Sequence, residues 1–528
     1  MLTYLVLAPF FLGIFLYFFF FTKITRFIAI AAQIGMCIAA CYLFFLTREN
    51  IIITNIGNYE SVLGITLIAD TLASVFVLLS VFIFLVAIIY SFHEDNSRLF
   101  WFLLFLWQGL LLGVFLTRDF FNVFVLIEVA TVVVAILIMY KRGTRSMYDG
   151  MIYLMANIVV MQFYLFGIGY MYKITGVLDM DTAMYRIAML DRSYFFLPYA
   201  LVMTFVALKC ALLPLYSWLP KAHGTPGAPS SVSAILSGLH IKSGLYLFLR
   251  FQEVFGNVAV TEFFLAVGII TAIAGILKAI AQTDIKLILA YSTISQIGLI
   301  MIGFNIHDPY AQTGSLYHVI IHAVAKAALF LSAGMIINMY KTRDTNKIRG
   351  VLRQSPMVGI ATIMASLGLI GAPLFGGSIS KYFMMTNVSL PTISIMIAIN
   401  LGSILVFIKY TRILFGEHKT GVAIEKPDGC QRVSTFALGV LCFALGILGT
   451  TVIDLLFGVP LDVSVAGYIE KILFFSGSLF VGYWIFRLFI KSHAPWLEKI
   501  RKIDLSFRAM CVSMGVFFAM ILISLSIL

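Results

Sequence analysis

Charge is scarce in this sequence. Only 11% of its 528 residues are Asp, Glu, Lys or Arg, while 61% are hydrophobic and the mean hydropathy is +1.03. An ordinary globular chain carries about a quarter charged residues, so a water-soluble fold of this length has nowhere to hide the apolar surface. The excess must face lipid. No soluble domain fits either, because the longest polar stretches are 47–67, 173–194, 416–433 and 489–506. The six cysteines (Cys37, Cys41, Cys210, Cys430, Cys442 and Cys511) contain no CxxC and no CxxCH, which excludes an encoded iron–sulfur cluster or haem attachment. Cys37 and Cys41 share a helix face as apolar filler. No nucleotide, quinone or metal motif is present, so no cofactor is expected, and any enzyme activity would belong to an assembly. The first apolar run starts at Leu2 with no basic region before it, and it reads as a retained span. The net charge of +12 comes from Lys and Arg placed mostly in short connections, a pattern suited to a membrane surface and not to nucleic acid.

A membrane-spanning helix needs roughly 20 apolar residues. Sixteen candidates occur: spans 1 to 16 at 2–21, 25–46, 69–91, 98–117, 120–140, 146–172, 195–218, 229–252, 258–280, 285–305, 311–340, 355–386, 391–415, 434–457, 465–488 and 507–528. Basic residues gather in the odd-numbered connections: Lys23 and Arg26, then Lys141, Arg142 and Arg145. Further along come Lys341, Arg343, Lys347, Arg349 and Arg353, then Lys419, Lys426 and Arg432, then Lys491, Lys499, Arg501, Lys502 and Arg508. The even connections carry few, and include Asp308 and Asp462. The positive-inside rule therefore puts the odd connections in the cytoplasm and both termini outside a plasma or inner membrane. Segment 47–67 alternates weakly around Gly57-Asn58, predicting a small external hairpin with Ser61–Gly64 in its second arm. Trp496–Lys502 mixes apolar and basic residues and is expected to lie along the inner membrane surface.

Five charges lie well inside apolar spans: Glu128 in span 5, Lys209 in span 7, Lys242 in span 8, Lys326 in span 11 and Lys381 in span 12. Facing lipid, each would cost on the order of 3 kcal/mol, and the five together about 15. That equals the net stability of a whole domain. They must face one another or water inside the bundle. One acid against four lysines cannot neutralise the set by pairing alone, so interhelical salt bridges do not account for it and an ion pathway does. Desolvation disfavours the charged form of a lysine, which leaves it able to hand a proton on. In span 11, His318, His322 and Lys326 recur at i, i+4 and i+8, one stripe of a helix, which suits a proton wire. A zinc site lacks a third ligand; satisfied core histidines are the plainer alternative. His240, two residues before Lys242, supports the wire and the core reading equally.

Two spans look broken near a lysine. Span 7 carries Pro214 after Lys209, and span 12 carries Gly371, Pro373, Gly376 and Gly377 before Lys381. Proline removes a backbone donor and glycine loosens the remainder, while irregular backbone at membrane depth survives only inside protein or beside a wet cavity. Spans 4–8 and 9–13 form five-helix blocks that start on opposite sides, with the break fourth in each. That is the layout of an inverted repeat with its site at mid-membrane. The expected organisation is spans 1–3 over 1–97, a first repeat over 98–252, a second over 258–415 and spans 14–16 over 416–528.

Together these residues resemble the antiporter-like subunits shared by respiratory complex I, membrane-bound hydrogenases and Mrp-type cation/proton antiporters. The resemblance runs in order over about residues 69–415: Asp119 through Glu128; Lys209-Cys210-Ala211-Leu212-Leu213-Pro214 through Trp218-Leu219-Pro220-Lys221-Ala222-His223; Ala228-Pro229 and Ser233-Ala234 leading to Lys242; Gln282-Thr283-Asp284-Ile285-Lys286; Ala290-Tyr291-Ser292-Thr293 with Gln296; His318, His322 and Lys326; and Gly371-Ala372-Pro373 with Ser380-Lys381. It implies an all-α polytopic fold with a fourteen-helix core of two inverted five-helix repeats, here with two further C-terminal helices. It also implies that Glu128 and Lys209 form a Glu–Lys pair of one half-channel, that Lys242 links toward the centre, and that His318, His322 and Lys326 form a central relay ending at Lys381. The implied function is proton, or sodium, translocation within a hetero-oligomeric membrane complex containing homologous subunits. That complex is redox-driven like complex I or a hydrogenase, or alternatively a secondary Na+/H+ antiporter of the Mrp type. Lys221 departs from the pattern, since many relatives have Asp there. The residue at Lys381 varies between Lys and Glu among relatives, so it does not set the subtype.

Overall fold

Short polar connections start the helices by supplying caps. Asp70, Ser97, Asp119, Asp179, Asp284, Asp308 and Asp428 each accept a hydrogen bond from a backbone N–H in the first turn that follows, satisfying donors that a helix start leaves open. In the computed structural model, which describes residues 1–19, 23–59, 64–417, 425–460, 465–490 and 495–527, fourteen helices are long and apolar enough to cross a membrane. The other two expected spans, 7 and 12, are each split. Span 7, expected over 195–218, holds Phe196–Lys209 and ends where a second helix, Trp218–Gly224, begins, and span 12 comprises Pro356–Ile370 and Gly376–Met385. Lys419, Asp462, Lys491 and segment 60–63 lie outside the described residues.

The hairpin is present with a later return. Strand β1 (Ile52–Asn55) pairs antiparallel with β2 (Thr66–Ala69), Ile52 opposite Ala69. The return strand begins two residues after the predicted arm ends at Gly64. The polar stretch 173–194 holds a helix that the apolar pattern did not announce, Met180–Met189, started by the Asp179 cap. Span 8 contains a π-helical turn, Leu236–His240. Such turns insert an extra residue into a helix and often accompany functional sites.

Two compact units divide the chain: residues 1–229, 239–260 and 506–528 in the first, and 230–238 and 261–505 in the second. The last two spans part company. Span 15 (Val465–Ile485) packs on span 13 (Leu390–Thr411) in the second unit, whereas span 16 (Phe507–Ile527) packs on Phe196–Lys209 and Thr144–Thr175 in the first. There the Ser217 hydroxyl meets Met510 Sδ at 3.3 Å.

Each unit repeats one pattern. In the first, Asp119 pairs with Asp179 in an isolated antiparallel bridge; in the second, Asp284 pairs with Asp344, each position displaced by 165 residues. The same displacement carries Thr144–Thr175 onto Pro309–Tyr340, both of 32 residues. Spans 9 (Thr261–Ala281) and 10 (Ile285–Phe304) touch backbone to backbone. A Cβ on Gly298 would lie 2.4 Å from Ala272 N and 2.6 Å from Gly268 O, so only small residues allow this approach.

A charge cluster ties the first unit together. The Arg250 guanidinium donates to both Asp70 oxygens at 2.5 and 2.6 Å, Arg118 adds a bond at 3.0 Å, and Glu253 pairs with Arg250 at 3.3 Å. Burial alone would raise the Asp70 carboxyl, yet Arg250 and Arg118, with the Ala73 N–H, hold it below its ordinary value. Asp70→Asn leaves two nearly buried guanidiniums short of a counter-charge and should cost about 3 kcal/mol at neutral pH. A depressed carboxyl stabilises fully above its unfolded value of about 3.9 and loses that contribution as pH falls through the lower folded value. The gap in melting temperature between wild type and Asp70→Asn in detergent should therefore be constant from pH 8 to about 5 and close in stronger acid.

Candidate functional site

In the first unit, Phe196–Lys209 ends on the residue that carries the charge. An ammonium at a helix C-terminus is favoured by the helix dipole. Lys209 Nζ donates to Asn157 Oδ1 at 2.6 Å and to Thr131 Oγ1 at 3.1 Å. The break beside it is held by the Trp218 indole, which donates to Leu208 O at 2.8 Å. Gly244 lets span 8 lie against the break, since a Cβ there would sit 2.9 Å from Lys209 C. Glu128, half-buried on span 5, makes no ion pair with Lys209 within 4 Å among the described residues; its Oε2 is buried without a hydrogen-bond partner. The two interact only at longer range.

His240 and Lys242 are both buried. The Trp107 indole donates to His240 Nδ1 at 3.4 Å, and His240 Nε2 lies 3.1 Å from the Tyr153 hydroxyl. An indole nitrogen can only donate, so Nδ1 must accept, and the ring carries its single hydrogen on Nε2.

The second unit places His318, His322 and Lys326 along span 11 (Pro309–Tyr340), all fully buried. Lys326 Nζ donates to Leu289 O at 2.9 Å and Ser292 Oγ at 2.5 Å. His318 Nε2 faces Gln296 Oε1 at 2.9 Å, and Nδ1 faces Ser380 Oγ at 2.8 Å. Ser380 Oγ also lies 3.2 Å from Gly377 O. Its hydroxyl can donate to Nδ1 when the imidazole is neutral, or turn to Gly377 O and accept from an imidazolium. His318 is thus supported in both charge states, while Trp107 fixes His240 in one.

Span 12 breaks where its glycines stand. Gly371 takes φ +80°, a left-handed conformation that glycine adopts without strain, and ends the first half. From the second half, Lys381 reaches back across the break: Nζ donates to Leu369 O at 2.7 Å and to Asn400 Oδ1 at 2.6 Å. A cavity of about 130 Å³ opens beside it, lined by Lys381, Asn400, Tyr382, Phe474 and Lys471. The Lys471 ammonium, from span 15, lies 3.8 Å from the Tyr382 ring centre and 5.1 Å from that of Tyr468. Its Nζ is buried with no hydrogen-bond partner among the described residues.

Of the predicted residues, Lys209 ends one broken helix, Lys381 lies on the other and His318 meets it through Ser380, while Lys326 is held by unbroken span 10. The partners Thr131, Asn157, Tyr153, Trp107, Asn400 and Lys471 were not predicted. The amides had a signal, since Asn157 and Asn400 interrupt apolar runs much as the lysines do. Lys471 follows Glu470 near a span's start, where a charge looks ordinary. The repeat relates the partners as well: displaced by 165 residues, Thr131, Tyr153 and Asn157 fall on Gln296, His318 and His322.

Residues 117–408, more than half of the chain, match the family described as NADH:quinone oxidoreductase/Mrp antiporter, TM. The chain belongs to that family. Like other members it is a multi-pass, antiporter-like membrane subunit. It is 31% identical over 389 residues to a Na(+)/H(+) antiporter subunit of Alkalihalophilus pseudofirmus, covering 71% of this chain and 78% of that one. With an NADH-quinone oxidoreductase subunit of Desulforudis audaxviator it shares 29% over 424 residues, covering 74% and 83%. A chain in the structure of the Mrp complex from Dietzia sp. superposes with a TM-score of 0.79 at 21% identity, over 91% of this chain and 98% of that one, a likeness of fold.

Removing an acceptor from a buried ammonium costs more than an ordinary hydrogen bond, about 1.5–3 kcal/mol. Asn400→Leu should lower the melting temperature in detergent accordingly, while Asn400→Asp, which keeps the acceptor oxygen, should not. Equal melting curves for wild type and Asn400→Leu would show that Lys381 does not depend on this oxygen.

Proposed function

We propose that this chain is a proton-translocating subunit of a multi-subunit membrane complex, passing protons through Glu128, Lys209, Lys242, His318, His322, Lys326 and Lys381, with sodium as the alternative ion. One observation carries the reading: among the described residues, the Lys209, Lys326 and Lys381 ammoniums are met by neutral oxygen atoms and not by carboxylates. A carboxylate would lock the charge in place. A neutral oxygen accepts most strongly from the ammonium and still accepts from the amine left after its proton departs, so the site survives both states. The rotatable Ser380 hydroxyl gives His318 the same tolerance, and Lys471 offers a further amine at the cavity beside Lys381.

Two kinds of assembly suit such a subunit. A redox-driven complex is supported by the likeness to a quinone oxidoreductase subunit; a secondary Na+/H+ antiporter is supported by the likeness to a Na(+)/H(+) antiporter subunit. Flavin or iron–sulfur absorbance co-purifying with the intact complex would place it in the first class. Its absence, with sodium-dependent proton flux, would place it in the second.

Glu128→Gln and Lys209→Ala should each abolish proton flux in proteoliposomes of the intact complex while leaving assembly unchanged by size-exclusion chromatography. Normal flux in either sinks the pathway. The two histidines should separate as well: His318→Gln should lose flux, whereas His240→Gln, at a ring already confined to one protonation state, should keep most of it. Loss in both would return His240 to the relay.

A further inference from the structure

A second charged cavity lies in the second unit, away from the relay. Its walls come from the ends of spans 9, 13 and 15 and from the short helix Pro495–Lys502. Three cations converge on about 140 Å³: Lys409, Arg412 and Arg501. Lys409 Nζ donates to Ile280 O at 2.5 Å and to Gln282 O. The Arg412 guanidinium sits 5.4 Å from the Phe486 ring, and both Arg412 and Arg501 repel Lys409. Arg349 adds to the positive field around Arg412. The acids do not balance them. Glu498 in the wall lies 3.9 Å from Arg501 but 3.3 Å from exposed Lys502, which shares it, and Asp344 acts on Lys409 and Arg349 only after the other cations.

The lining also includes the apolar Ile280, Phe486 and Leu497. Lys278 pins the short helix by donating to Ile500 O at 2.9 Å and to Ile503 O. Every lining element belongs to an odd-numbered connection or its edge, the face where the basic residues collect. Like charges held together beside apolar wall, at the level where a span meets its polar connection, match a phosphate group with an acyl chain attached. Basic pockets between membrane helices take anionic headgroups in this way, and arginine forks suit phosphate oxygens.

We propose that this cavity binds the phosphate of an anionic phospholipid through Arg412, Arg501 and Lys409. The test uses the intact complex in phosphatidylcholine nanodiscs carrying a trace of photoactivatable phosphatidylglycerol, with labelled peptides mapped by mass spectrometry. Label should concentrate on peptides spanning 409–416 and 486–503, and be displaced by unlabelled phosphatidylglycerol but not by phosphatidylcholine. Each basic residue near a membrane surface is worth about 1 kcal/mol toward an anionic lipid, so Arg412→Gln with Arg501→Gln should cut labelling by about tenfold or more. The paired Lys substitutions should retain most of it. If the double variant fails to assemble, Arg501→Gln alone, on the short helix, gives the same readout with a smaller fall. Displacement by millimolar inorganic phosphate would assign the cavity to a free anion. Unchanged labelling in the Gln variant, or equal competition by phosphatidylcholine, overturns the proposal.

Discussion

An ammonium taken out of water has to find oxygen atoms, and in this protein uncharged side chains and open backbone carbonyls supply them. Lys209 sits where a helix stops, and Lys381 reaches back to a carbonyl left open where another stops. Lys326 uses a carbonyl of an unbroken helix, Leu289 O, which the side chains of Ser292 and Thr293 also approach. Glycine and proline at the span 12 break are therefore part of the electrostatics. They free the Leu369 carbonyl, which would otherwise be spent within the helix, whereas at the span 7 break the Leu208 carbonyl accepts from the Trp218 indole. Carboxylates are kept at a distance, and the one acid in these spans, Glu128, acts on Lys209 without touching it.

The repeat shows how one scaffold holds two different chemistries. Both units carry the aspartate bridge and the 32-residue helix, but the positions facing the break differ. Where the first unit has Thr131 and Asn157 on Lys209 and Tyr153 on His240, the second has Gln296, His318 and His322. Glu128 has Thr293 as its counterpart, so the acid is confined to one unit and the imidazoles of that stripe to the other. The frame has been kept and the titratable groups exchanged, which is how repeats diverge when packing and function rest on different residues.

Much of this was legible in the sequence, because membrane burial makes errors expensive. Sixteen apolar runs, two of them interrupted beside a lysine, gave the spans and the breaks directly, and family motifs ordered the buried charges. The unread parts share one cause. Hydrogen-bond partners such as Asn157 and Tyr153 are ordinary residues whose meaning depends on which lysine lies opposite, and only packing decides that. The same holds for His240. Its spacing from Lys242 suits a relay, while its fixed protonation comes from Trp107, 133 residues away. The helix Met180–Met189 went unseen because its start depends on a cap and not on an apolar stripe.

The final helix completes the first unit although the penultimate one packs in the second. During synthesis, the surface formed by Phe196–Lys209 and Thr144–Thr175 therefore waits, uncovered, while nearly three hundred further residues emerge. Lys209 lies on one of those helices. Lys209 is built early, but the helix that packs on its own helix arrives last, so a truncated product would carry a buried charge on a helix whose packing is unfinished.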